Sequence, residues 1–211
     1  MVDPFFFQTI EKATTAEFSD RGSRFIAYAF PVHSIDEFKK ILQQLKKEQP
    51  KASHFCFAYR IGADRQTYRV SDAGEPSGSA GRPILGQIDS KELTNVCVIV
   101  IRFFGGTLLG IPGLINAYKS SSSMALQLTP IVKKPVEILY ELEFDYTMVN
   151  EVLKIIRRFG CSIHSQEIQL FCRYEIGVQK SNEAECVDVL KDISGFSIKQ
   201  KSDPALRLDR F

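Results

Sequence analysis

The chain has 211 residues, 44% hydrophobic and 25% charged, with a formal net charge of +2. That suits one large or two small globular domains with real cores and excludes a low-complexity or disordered chain. Fifteen basic and twelve acidic residues precede residue 130 and twelve and thirteen follow it, giving +3 and −1, so neither half announces nucleic-acid binding by charge alone.

Residues 8–18 and 24–31 read as two strands around the turn cluster Ser19–Ser23. Ser34-Ile35-Asp36-Glu37 is a capping box, followed by Phe38, Ile41, Leu42 and Leu45 at helical spacing up to Pro50. In 54–61, Phe55, Phe57, Tyr59 and Ile61 alternate with their neighbours as in a strand, and 66–71 forms a further short one. A short helix is expected around Pro83, because proline is favoured at a first helical position. A β-rich run at 96–103 and a helix over 113–128 complete the first half, 1–129. Two prolines and two lysines in the stretch closing at Pro135 mark 130–135 as a linker. The second half, 136–211, reads β 136–145, α 147–159, β 161–169, β 170–179, α 182–193 and β 195–202. This βαββαβ order is that of the ferredoxin-like motif, so the fold class is α+β.

The five cysteines, Cys56, Cys97, Cys161, Cys172 and Cys186, are odd in number and lack a CxxC, which fits free thiols in a reducing cytoplasm. No zinc-type ligand spacing occurs, so no metal or cofactor is expected. The N-terminus lacks a signal-peptide layout, and the longest apolar stretch breaks at Arg102, far short of a membrane span. A cytoplasmic protein without a membrane partner is expected.

Two glycine-rich loops carry the strongest functional signal. The first runs from Ser71 to Pro83 and the second from Arg102 to Gly113. Each glycine costs backbone entropy on folding and is used where φ is positive or where the backbone lies close to something. Ser77, Gly78, Ser79 and Gly81 with Arg82 could form an anion-binding nest. Gly105, Gly106, Gly110 and Gly113 lead into a helix N-terminus that favours negative charge, with Arg102 and Lys119 near in sequence. The alternative is that the glycines only permit tight loop packing. Neither loop is a Walker A or a dinucleotide fingerprint.

Asp72 and Glu75 bracket a turn and form either a catalytic carboxylate pair or an Asx-turn plus an ion pair, the latter with Arg82 or Arg102. Ser77 or Ser79 as a nucleophile would need His54 as its base, and no Gly-x-Ser-x-Gly elbow is present. Lys154, Arg157 and Arg158 share one helix face and are weak nucleic-acid candidates, with a solvated face as the alternative. Phe103 and Phe104 beside Arg102 could stack on bases or belong to the core.

The two loop motifs, Asp-x-Gly-Glu-Pro-Ser-Gly-Ser-Ala-Gly-x-Pro and Arg-Phe-Phe-Gly-Gly-Thr-Leu-Leu-Gly-x-x-Gly-Leu-x-x-Ala-Tyr, resemble the YigZ/IMPACT family over essentially the whole chain. The resemblance implies a βαβ first domain like domain IV of elongation factor G and a second domain like that factor's ferredoxin-like C-terminal domain. Eukaryotic relatives regulate translation by competing for a protein activator of a stress kinase, but they carry a different companion domain. For a two-domain member the implied role is binding of RNA or of a ribosome or translation-factor surface. An enzyme acting on a phosphorylated or carboxylated small molecule and a protein-interaction module are the alternatives. The chain departs from the family at Asn116, where arginine is usual, and at Phe55 after His54, where asparagine is common.

Overall fold

The computed structural model describes residues 3–193 and 195–201. The chain divides into two compact units, one of Phe7–Lys134 and one containing Asp3–Phe6 with the chain from Pro135 onward. The last ten residues of the expected second domain lie outside the described residues.

The first unit is built on a five-stranded sheet in the order β2-β3-β6-β4-β5, from Thr14–Asp20, Ser23–Pro31, Val96–Phe103, His54–Ile61 and Thr67–Ser71 respectively. Every neighbouring pair is antiparallel. β3 and β4 therefore run parallel with β6 between them, joined by α1 (Ile35–Glu48), so the expected βαβ unit is a split one. The side chain of Ser34 accepts a bond from the Glu37 amide, as the capping box predicts.

β6 explains its own composition. Val96 to Ile101 are all fully buried, because helices cover both faces of a central strand. Val96, Val98 and Val100 pack with Cys56 and Ala58 of β4, Ala27 and Ala29 of β3, and residues of α2 (Gly81–Ser90) and α3 (Gly110–Gln127). On the opposite face Phe38 of α1 meets Phe57 and Tyr59 of β4, with ring centroids 4.7 and 4.8 Å away.

Several boundaries differ from expectation. The strand expected over 8–18 is two strands, β1 (Phe6–Ile10) and β2, separated at Glu11–Ala13 because each has a different partner. Residues 131–135, expected within a linker, form β7 (Ile131–Pro135), which pairs with β1. Pro135 ends that strand in a two-stranded ribbon, where a missing amide is tolerated. α2 and α3 begin at Gly81 and Gly110, two and three residues earlier than predicted, so Pro83 and Pro112 both lie in first turns.

The second unit has a four-stranded antiparallel sheet in the order β11-β8-β10-β9, formed by Ser197–Gln200, Glu137–Asp145, Phe171–Gln179 and Ser162–Glu167. α4 (Val149–Phe159) and α5 (Glu183–Lys191) complete the βαββαβ order. One sheet face, with Tyr140, Leu142, Phe144, Tyr174 and Ile176, shares a core with Val152, Ile156 and Leu190 of the helices. Gly160 closes α4 with φ 62°, the left-handed conformation expected of a glycine C-cap.

The glycines fall into physically different classes, which three alanine substitutions separate. A Cβ on Gly105 would sit 1.9 Å from the carbonyl carbon of Gly22, a backbone clash that nothing can relieve locally. Gly105→Ala is expected to cost at least about 2 kcal/mol in urea unfolding, within the range for overpacking. Gly106 has φ 87° and open space, so its alanine variant should lose about 1–2 kcal/mol through backbone strain alone. Gly86 lies inside α2 with nothing near its Cβ position, and Gly86→Ala should gain up to about 1 kcal/mol.

Candidate functional site

The first loop closes on itself. Asp72 follows β5, and its carboxylate accepts from the amides of Gly78 (2.8 Å), Ala80 (3.0 Å) and Gly81 (2.8 Å). No side chain caps α2 from the adjacent Ala80, so Asp72 does this from eight or nine residues upstream. Burial disfavours the charged form of Asp72, but the three amide bonds and nearby Arg82 outweigh it and hold the pKa below its ordinary value. The Gly78 and Gly81 amides, expected to bind an external anion, are thus committed to an internal one. Ser79 is buried and donates to the Pro76 carbonyl, whereas Ser77 and Arg82 are exposed.

Glu75 turns inward from the same loop, with 4% of its side chain exposed. Its Oε1 accepts from Arg102 Nη1 at 2.7 Å and from the Tyr118 hydroxyl at 2.8 Å. Of the two ion-pair partners the sequence offers, Arg102 is the one at hand. Arg102 lies at the end of β6, and its Nη2 donates to Ser23 Oγ at 3.2 Å while its Nε has no partner. The guanidinium carbon stands 5.4 Å from the Phe25 ring centroid and 5.5 Å from that of Phe104. Behind Tyr118, the Cys56 thiol lies 3.3 Å from the hydroxyl and 3.0 Å from the Asp72 carbonyl oxygen. Burial pushes the Cys56 thiol up to about 12 and, with Cys56 and Glu75 adding to it, also raises Tyr118. Both therefore stay protonated and act as donors.

His54 does not reach Ser77 or Ser79. Its Nδ1 lies 2.9 Å from the Ala73 carbonyl and its Nε2 3.9 Å from Glu75, so the Ser–His pairing is not formed. Asp72 and Glu75 do not act on each other as a catalytic pair either: amides saturate one carboxylate, and an arginine and a phenol bind the other. Tyr118, Cys56, Ser23 and Phe25 belong to this cluster and were not read as site residues from sequence. The available signal was the hydroxyl of Tyr118 in an apolar helix stripe, since a buried tyrosine needs a partner.

The second loop is built differently. Gly105 lies against Gly22, and its amide donates to Ser23 Oγ at 3.3 Å. Gly106, Thr107, Leu108 and Gly110 are exposed, and no side chain caps α3. Arg21 reaches the start of α3, its Nη2 falling 3.6 Å from a Cβ position on Gly113. Phe104 (50% exposed), Leu108 (83%), Ile111 (53%) and Ile115 (39%) surround this helix end, and Asn116 and Lys119 are exposed further along. Lys154, Arg157 and Arg158 are exposed on α4 of the other unit, where Arg158 pairs with Glu185 at 3.2 Å. Among the described residues no group of three or more His, Cys, Asp or Glu is placed to hold a metal, and no helix is long and apolar enough to cross a membrane.

The architecture is that of a two-domain α+β protein whose first domain carries one closed and one open glycine loop. Residues 21–126, which include both loops, match the family model described as the Impact N-terminal domain. An IMPACT family member of Haemophilus influenzae is 30% identical over 193 residues, covering 90% of this chain and 94% of that protein. One from Thermus thermophilus is 41% identical over 177 residues, 82% and 93% of the two chains. A crystal structure described as a hypothetical protein superposes with a TM-score of 0.72 at 26% identity, covering 94% of this chain and 98% of its own. The chain belongs to the IMPACT family.

Two substitutions test the cluster. Glu75→Gln keeps the shape but leaves the Arg102 guanidinium buried without a counter-charge, and should cost about 3–5 kcal/mol in chemical unfolding. Asp72→Asn tests the closed loop through pH. Because folding lowers this carboxyl's pKa, its stabilisation is complete above its unfolded value near ~4 and is lost as pH falls through the folded value. The urea midpoints of wild type and Asp72→Asn should differ at neutral pH and converge in acid; an unchanged difference would remove Asp72 from this role.

Proposed function

We propose that this protein binds RNA, or an RNA-bearing surface of the translation machinery, through its second glycine loop and the start of α3. The observation that carries the reading is the contrast between the loops. The first spends its amides on Asp72, while the second leads into an uncapped, exposed helix N-terminus beside Arg21. Such a terminus favours a phosphate, and Phe104 next to the Arg102 guanidinium offers a face on which a base can stack. Lys119 supplies further positive charge on α3. Asn116, where the family usually has arginine, removes one cation from this face. The translation setting rests on the family resemblance of the two loop motifs.

Arg102 is a support in this reading, not a contact, because its charge is already spent on Glu75. The enzyme alternative is less favoured, since the Asp72 carboxylate is taken up by three amides and Glu75 Oε1 by Arg102 and Tyr118. A protein-binding reading has one specific observation in its favour: the exposed apolar side chains Leu108, Ile111 and Ile115.

Binding of short fluorescent single-stranded RNA, titrated against salt, tests the proposal. Affinity should fall linearly with log salt, by about 0.7 in slope for each phosphate neutralised, and Arg21→Ala should remove about one such increment. Phe104→Ala should weaken binding by about 1–3 kcal/mol if a base stacks there. Absence of binding at low salt, or binding untouched by both variants, would overturn it. A partner retained after nuclease treatment and lost in Leu108→Ser would favour the protein-binding reading.

A further inference from the structure

Cys161 and Cys186 stand apart from the other three cysteines. Their sulfurs are 3.7 Å apart. Cys161 directly follows the glycine that ends α4, where its amide is fixed by the Ile156 carbonyl at 2.9 Å. Cys186 projects from α5 and is fully buried, whereas Cys161 is partly exposed. A reagent can therefore reach one sulfur, and the second waits behind it. Cys56 and Cys97 are buried singly, and burial raises both thiols. Cys172 is buried with its sulfur 3.6 Å from the Gln169 carbonyl.

We propose that Cys161 and Cys186 form a peroxide-responsive dithiol that closes to a reversible disulfide and clamps α5 to the corner between α4 and β9. The chemistry follows from the placement. The Cys161 thiolate attacks one oxygen of hydrogen peroxide; the O–O bond breaks, an S–O bond forms and, with one proton, water leaves. The product is a sulfenic acid on Cys161. The Cys186 sulfur then attacks that sulfur, the S–O bond breaks, the S–S bond forms, and the Cys186 proton leaves with the hydroxide as a second water. Two thiols and one peroxide thus give one disulfide and two waters, the two electrons passing from the sulfurs to the peroxide. A dithiol reductant returns the disulfide to two thiols by exchange and is itself oxidised to a disulfide.

The environment assigns the roles. The hydrogen bond from Cys186 lowers the Cys161 thiol, against burial and the nearby charge of Glu137, while the same contact and burial raise Cys186. Cys161 is the partly exposed residue and Cys186 the buried one in contact with it, which is the arrangement of an attacking and a resolving cysteine. The closing distance is short: the sulfurs must approach from 3.7 Å to a bond length of about 2.05 Å, a movement within reach of side-chain rotation at the end of a helix.

The test uses the full chain. Reduced protein is treated with equimolar hydrogen peroxide, denatured, alkylated and weighed. The expected product carries three alkyl groups in place of five, has lost the mass of two hydrogens, and yields a proteolytic fragment joining the Cys161 and Cys186 peptides. Dithiothreitol should restore five alkylation sites. Cys186→Ala should stop at a sulfenic acid on Cys161 that dimedone traps, and Cys161→Ser should leave Cys186 unreacted. Should Cys186→Ala lose its wild-type circular dichroism, the oxidised wild type alone decides, since its linked fragment either contains these two cysteines or does not. Five alkylated thiols after peroxide, or linkage through Cys56, Cys97 or Cys172, would overturn the proposal.

Discussion

The buried pair of Glu75 and Arg102 is the contact on which the arrangement of the first domain's two glycine loops depends. Arg102 lies near the end of the central strand, Glu75 belongs to the first loop, and Tyr118 belongs to α3, so one carboxylate oxygen ties three elements together. The same guanidinium reaches Ser23, whose hydroxyl also accepts from the Gly105 amide. The Gly105 turn of the second loop is therefore linked through Ser23 and Arg102 to Glu75, which it does not bond itself. A buried ion pair gives little net stability over apolar packing, but loss of one partner is severe. What the pair supplies here is a fixed relation between two loops that would otherwise be set only by their own backbones.

That relation makes sense of the glycines, which serve two different purposes. In the first loop they let the chain wrap around Asp72 closely enough for three amides to converge on one carboxylate. Gly81 also lies so near β5 that a Cβ would come within 2.8 Å of the Ser71 amide nitrogen. In the second loop Gly105 permits contact with Gly22, and Gly106 and Gly110 take positive φ in the open. Tight packing, which the sequence posed as the alternative to anion binding, is present in both loops, at Gly81 and at Gly105, while Gly106 and Gly110 are exposed.

Much of this architecture was legible because local and global signals agree. The capping box at Ser34, the alternation in 54–61, the fully apolar run before Arg102 and the glycine after Phe159 each mark an element that the fold retains. Boundaries failed where tertiary pairing decides them. Nothing local in residues 8–18 shows that the two ends of that stretch pair with different strands, and nothing in 130–135 distinguishes a linker from a ribbon strand completed by a segment more than a hundred residues away. The site was legible in its loops but not in its direction. Glu75 and Ser77 differ by two residues in an exposed-looking polar run, yet one is a buried counter-ion and the other faces solvent. Only the placement of Arg102 and Tyr118, remote in sequence, decides which.

The same reasoning separates charge that holds structure from charge that remains available for binding. Asp72, Glu75 and Arg102 are the most conspicuous ionisable residues of the two motifs, and all three are internally matched, by amides, by a guanidinium and a phenol, and by a carboxylate. A ligand that recruited them would have to replace contacts of 2.7 to 2.8 Å already made without desolvation at the moment of binding. The groups that can gain a partner at little cost are those outside the cluster: the first amides of α3, the exposed Lys119, and Arg21, whose 3.6 Å pair with Asp20 is solvent-exposed, with Phe104 as an apolar wall. The polar core of the two motifs is thus a frame whose charges are matched within the fold, and the proposed recognition rests on the less conspicuous exposed residues around it.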